Sequence, residues 1–169
     1  MDTGINLKKG DDKYLCVGAN ISFVDTEWYV DEVGHGTIMF ETLKRGLTQD
    51  ECIVIYKIFD LKKRSFAEPY IYALNAVSKI LGNQKIVLAM EDVSYDIREI
   101  DFFKVITQDK EVFVAAGNDG VELKKDCKVY PACLKSFIKS ENFHVVGALN
   151  GYNYGAIVDQ KFDSKIILS

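Results

Sequence analysis

The stretch VFVAAGNDG, Val112 to Gly120, decides the fold. Apolar residues run from Val112 to Ala116 and then meet Gly117, Asn118, Asp119 and Gly120. A short apolar run closed by turn residues reads as a buried strand entering a sharp turn. An amide at the exit of a buried strand costs free energy unless its N–H group has something to bind. Parallel sheets hold their ligands just beyond the carboxyl ends of the strands, which is where Asn118 stands.

The segments around this strand repeat the same alternation. ECIVIYKIF, Glu51 to Phe59, is a β-branched and aromatic run. After Pro69, the apolar positions Ile71, Leu74, Val77, Ile80 and Leu81 carry helical spacing that stops at Gly82. KIVLAM, Lys85 to Met90, reads as a further strand, IREIDFFKVIT, Ile97 to Thr107, as a helix, and FHVVGAL, Phe143 to Leu149, as a last strand. Strands and helices in alternation predict an α/β fold, a mainly parallel sheet with helices on both faces. The near-continuous apolar strands predict a sheet covered on both sides. There is no internal repeat and no linker, so residues 1–169 are expected to form a single domain.

Composition narrows the function. A net charge of −4, with both signs mixed along the chain, gives no basic stripe of the kind nucleic acid requires. The clusters KKGDDK and DLKKR read as solvated loops. Cys16, Cys52, Cys127 and Cys133 form no C-x-x-C pair, and His35 and His144 are not spaced with them as ligands, so no zinc site is expected. A bridge between Cys127 and Cys133 is open, but free thiols in a cytoplasmic chain are the expectation. No signal segment opens the sequence, and no apolar run approaches membrane-spanning length.

Three short motifs stand in one order: DTG at Asp2 to Gly4, GHGT at Gly34 to Thr37 and AAGND at Ala115 to Asp119. YPA follows at Tyr130 to Ala132, then HVVGALN at His144 to Asn150. The series resembles the subtilase family, the subtilisin-like serine peptidases, along nearly the whole chain. The resemblance implies a role for each residue. Asp2 is similar to the carboxylate that orients the catalytic histidine, His35 to that histidine, and Asn118 to the side-chain donor of the oxyanion hole. The chemistry fits those residue types. A histidine base needs an anion behind one ring nitrogen, and an oxyanion needs a rigid neutral donor. Read singly, Asp2 and Asn118 are ordinary turn residues and His35 an ordinary loop histidine. His144, in a strand-like run without a motif partner, reads as structural.

The resemblance also implies a nucleophile in a G-T-S stretch, and no serine of this sequence lies in a G-x-S context. In the family a hydrophobic strand precedes the DTG aspartate, whereas only Met1 precedes Asp2. The expectation is a subtilase-like domain clipped at both ends, lacking most of the first strand and inactive by itself, with a further segment or chain supplying the serine. Where the family has small residues after HGT, this chain has Ile38, Met39, Phe40 and Glu41. Where the family has serine and glycines after the strand KIVLAM, it has Glu91, Asp92 and Val93, which are expected to obstruct a peptide. The alternative is a non-catalytic subtilase-fold protein that binds a peptide or protein partner. The implied partner is a peptide or protein substrate, with no nucleic acid and no membrane. No cofactor is implied, and structural calcium is allowed by the resemblance without an assignable site.

Overall fold

The computed structural model describes residues 1–61, 67–118, 123 and 127–147. Asp119, Gly120, the basic cluster at 62–64 and the end of the HVVGALN motif lie outside the described residues. The element order is β1 (Ile21–Ser22), α1 (His35–Leu43), β2 (Tyr56–Lys57), α2 (Ala67–Ser78), β3 (Lys85–Leu88), α3 (Ile97–Ile106), β4 (Glu111–Ala115) and β5 (Phe143–Val146). Two 3-10 helices, Asp11–Tyr14 and Ala132–Ser136, lie among them. Strand and helix alternate from β2 onward, and the three strand pairings among the described residues are parallel, as the sequence pattern predicts. The chain divides into two compact units, Met1–Ala73 and Leu74–Ser169, and the division falls within α2.

In the first unit β1 pairs with β2 in parallel, Ile21 opposite Tyr56. The run ECIVIYKIF yields only a two-residue strand, flanked by single bridges of Leu15 to Ile53 and of Asp2 to Lys57. Its neighbours are short loops rather than full strands, so it pairs in pieces. Ile5, Phe40 and Ile55 form the core here, with Tyr14, Leu15, Trp28 and Ile53 packed against them. Phe40 is the residue that follows HGTIM, so the bulk noted at that position is what α1 buries, while Ile38 stays exposed.

The second unit holds a sheet of order β3-β4-β5. Val112 and Val114 of β4 are fully buried, whereas Phe113 and Ala115 are only partly so. The expected burial on both faces therefore holds on one face more than the other, and on the lesser face Phe113 stacks on His144 at 4.8 Å. His144 thus packs against the sheet, its Nε2 3.5 Å from Glu111 Oε1. On α3 the buried residues Ile100, Phe103 and Ile106 follow helical spacing, and Phe103 meets Phe143 edge-on at 5.1 Å. Asp96 starts that helix with a capping box, accepting from Arg98 N–H while Glu99 accepts from the Asp96 N–H. Helix α2 ends at Ser78 rather than Gly82. Ile80 and Leu81 are exposed, so the last two positions of the apolar pattern have nothing to hold them in a further turn.

Two further readings need correction. Asp11 in KKGDDK is buried rather than solvated, accepting from Lys8 N–H and pairing with Lys44 at 3.0 Å. The cysteines are not free thiols: Cys16 bonds to Cys52 and Cys127 to Cys133. The first bond sits beside the Leu15–Ile53 bridge, which brings two residues 36 apart in sequence into range. No helix among the described residues is long and apolar enough to cross a membrane.

Candidate functional site

Asp2 is fixed by its backbone. Its N–H donates to the Tyr56 carbonyl at 3.0 Å, and its carbonyl accepts from Ile58 N–H at 2.9 Å, so strand β2 grips it on both sides. The chain then turns at Gly4, whose φ of +98° is left-handed. A side chain there would also run into the carbonyls of Val30 and Trp28, so glycine is required twice over. Beyond the turn, Ile5 N–H donates to the Trp28 carbonyl, and Ile5 enters the core.

His35 is the first residue of α1, following Gly34 at φ +89°. Its Nδ1 lies 2.8 Å from Asp2 Oδ1, and the same oxygen accepts from Thr3 N–H at 2.8 Å. The two residues that the motifs single out, 33 apart in sequence, are thus joined. Gly36 makes this approach possible. A Cβ at that position would collide with the Gly4 carbonyl oxygen and crowd Asp2 Oδ1, so turn and helix meet backbone to backbone. The hydrogen bond to Asp2 raises the pKa of His35, burial opposes the rise, and the charges of Asp2 and Asp31 add to it.

The sequence reading missed Asp31. It is 5% exposed, and its carboxylate accepts from Thr3 Oγ1, Val33 N, Gly34 N, Thr37 N and Thr37 Oγ1. Burial pushes its carboxyl up, but the hydrogen bonds from Thr37, Gly34 and Thr3 outweigh this and hold it below the ordinary carboxylate value. The signal available was a carboxylate shortly before a helix start, a common pattern that points to capping and not to a site. Lys57, opposite Asp2 on β2, was missed too. It is fully buried with Nζ donating to the Val30 carbonyl. Burial lowers its pKa, while Asp60, Asp31 and Glu32 pull the other way.

Asn118 belongs to the second unit. It stands exposed beyond the end of β4, after Gly117 at φ +89°. Its backbone N–H donates to Glu91 Oε2 at 2.9 Å. A Cβ at Gly117 would collide with that same oxygen and with Val129. Asp92 pairs antiparallel with Tyr130 through two 2.9 Å backbone hydrogen bonds, and its Oδ1 accepts from Val93 N–H. The residues after β3 are therefore engaged by the chain itself. Among the described residues no group of three or more His, Cys, Asp or Glu side chains is placed to hold a metal ion.

Two solved structures are similar over nearly the whole chain. A cold adapted subtilisin-like serine proteinase superposes with a TM-score of 0.59 at 16% identity, covering 92% of this chain and 56% of that one. The fold is subtilisin-like. A psychrophilic subtilisin-like protease, Apa1 from the Antarctic psychrotroph Pseudoalteromonas sp. AS-11, gives a TM-score of 0.59 at 17% identity, with 98% of this chain and 39% of that one covered. The chain thus spans about half the length of the first structure and two fifths of the second. No family model and no curated protein matches the sequence. At these identities the likeness concerns the fold of the subtilisin-like chain and not its chemistry.

Two predictions follow from the geometry around His35. Gly36→Ala should lower stability by about 3 kcal/mol, since the clash is with backbone that cannot step aside, measured as a fall in the urea midpoint; an unchanged midpoint would mean that turn and helix are farther apart. The raised pKa of His35 gives a second. Its imidazolium contributes stability fully below the unfolded value of about 6.5, and that contribution is lost as pH rises through the higher folded value. His35 is about half exposed, so the effect is small. Urea midpoints measured across that window should fall with rising pH in the parent and fall less in His35→Ala. Parallel profiles would contradict the assigned pair.

Proposed function

We propose that the chain is a subtilisin-type serine peptidase domain in which His35 is the general base, Asp2 orients it and Asn118 donates to the oxyanion. The observation that carries this reading is the 2.8 Å contact between His35 Nδ1 and Asp2 Oδ1 on a subtilisin-like fold. With Nδ1–H donated to Asp2, Nε2 is left as the base that takes a proton from an attacking hydroxyl. The carboxylate behind the ring stabilises the imidazolium that forms, and the hydrogen bond that raises the pKa of His35 acts in the same sense. The reaction is acyl transfer to a serine hydroxyl, followed by hydrolysis. That serine comes from a further segment or chain, because no serine here lies in a G-x-S stretch. The two disulfides support an oxidising compartment as the place of action.

A second reading, a non-catalytic subtilisin-like fold that binds a peptide or protein partner, is favoured by Glu91. A carboxylate bonded to the Asn118 N–H brings negative charge to the residue meant to stabilise an oxyanion.

The purified chain should show no peptide hydrolysis and no labelling by a serine-directed phosphonate, since loss of the serine lowers turnover about 10⁶-fold in subtilisin-type triads. A longer chain that carries a G-T-S segment should gain both, and His35→Ala should abolish its turnover. Labelling of a serine within residues 1–169 would overturn the assignment. A folded, silent longer chain would make the binding protein the better reading.

A further inference from the structure

We propose that Asp31 is the positioning residue of the His35 site, its carboxylate tying the Asp2–Gly4 turn to the start of α1 and so setting how His35 meets Asp2. The inference rests on His35 as the functional residue of that pair, and it concerns what holds the ring in place.

The connections run both ways from one buried side chain. Through Oδ1, Asp31 accepts from Thr3 Oγ1 at 2.8 Å, and Thr3 Oγ1 in turn accepts from Gly36 N–H at 2.9 Å. Thr3 follows Asp2 and Gly36 follows His35, so this relay clamps the two backbones on either side of the Asp2–His35 contact. The same Oδ1 accepts from Gly34 N–H at 2.8 Å, which fixes the residue before His35. Through Oδ2, Asp31 accepts from Thr37 N–H at 2.8 Å and Thr37 Oγ1 at 2.6 Å. Thr37 Oγ1 also accepts from Asn6 N–H, and Asn6 exchanges two hydrogen bonds with the Asp31 backbone. Residues 3, 6, 31, 34, 36 and 37 thus form one polar unit around a single carboxylate.

Electrostatics points the same way. The N-terminus of a helix carries partial positive charge and opposes an imidazolium at its first residue. A carboxylate accepting from the free N–H groups of that turn offsets this and satisfies donors that the helix cannot. The charged groups acting on His35 are Asp2 from the turn and Asp31 from the loop before α1. Asp31 also acts, with Asp60 and Glu32, on the buried Lys57 of β2. A carboxylate acting only through its charge would move the His35 midpoint and leave the exchange of its Nδ1–H as in the parent. A positioning carboxylate also loosens the Nδ1–H contact with Asp2 when it is removed.

The test is an NMR titration of His35 in the full chain, with His144 as the internal reference and the Trp28 indole reporting that the first unit is folded. Asp31→Asn should shift the His35 midpoint downward and lose the hydrogen-bonded Nδ1–H signal, leaving His144 unmoved. Thr3→Val keeps the charge and cuts the relay. It should hold the Trp28 signal while the Nδ1–H exchanges faster. A folded Asp31→Asn chain that keeps the Nδ1–H signal of the parent, whatever its midpoint, overturns the proposal. If Asp31→Asn does not fold, Thr3→Val decides, and an unchanged Nδ1–H exchange there overturns it. The readout needs no turnover, so a chain that proves non-catalytic leaves this result standing or falling by itself.

Discussion

Two stretches of backbone meet at Gly36 and Gly4, and the first unit is organised around that meeting. A glycine at Gly4 lets the chain turn at positive φ under the carbonyls of Val30 and Trp28. A glycine at Gly36 lets the helix start close against that turn. Only then are Asp2, held by β2, and His35, held by α1, within 2.8 Å of each other. The buried Asp31 carboxylate satisfies the N–H groups that the approach would otherwise leave without partners. Side-chain chemistry and backbone geometry are therefore one constraint, since the motif glycines are what bring the motif carboxylate and imidazole together.

The second unit shows a different balance. Its sheet ends as parallel sheets with ligands at their carboxyl edge do, with Gly117 and Asn118 just beyond β4. Yet the chain has placed its own acidic residue there. Glu91 accepts the Asn118 N–H, and the positive φ of Gly117 and its lack of a side chain make room for that carboxylate. The backbone N–H of Asn118 is thus occupied by a side chain of the protein itself.

Much of the fold was legible because strand and helix periods differ. The apolar run from Val112 is the strand β4, and Ile100, Phe103 and Ile106 are buried at the helical spacing the sequence shows. The failures came where tertiary partners decide. ECIVIYKIF looks like a long strand, but its neighbours at Leu15, Ile21 and Asp2 each offer one or two residues to pair. The cysteines carried no recognisable spacing, because Cys16 and Cys52 are joined by a bridge that sequence does not display. Asp2 and His35 were legible through the motifs around them. Asp31 was not, since an aspartate before a helix is commonplace and only the count of donors converging on it reveals its place.

The central claim is that Asp2 holds the His35 ring with Nδ1 as donor and Nε2 free to act as base. The tautomer of neutral His35, read from the ¹⁵N shifts of its ring above its titration midpoint, tests this directly. The account predicts a protonated Nδ1 with a downfield, hydrogen-bonded proton that Asp2→Ala abolishes, and an unprotonated Nε2. A ring protonated at Nε2, with Nδ1 bare and indifferent to Asp2→Ala, would contradict it.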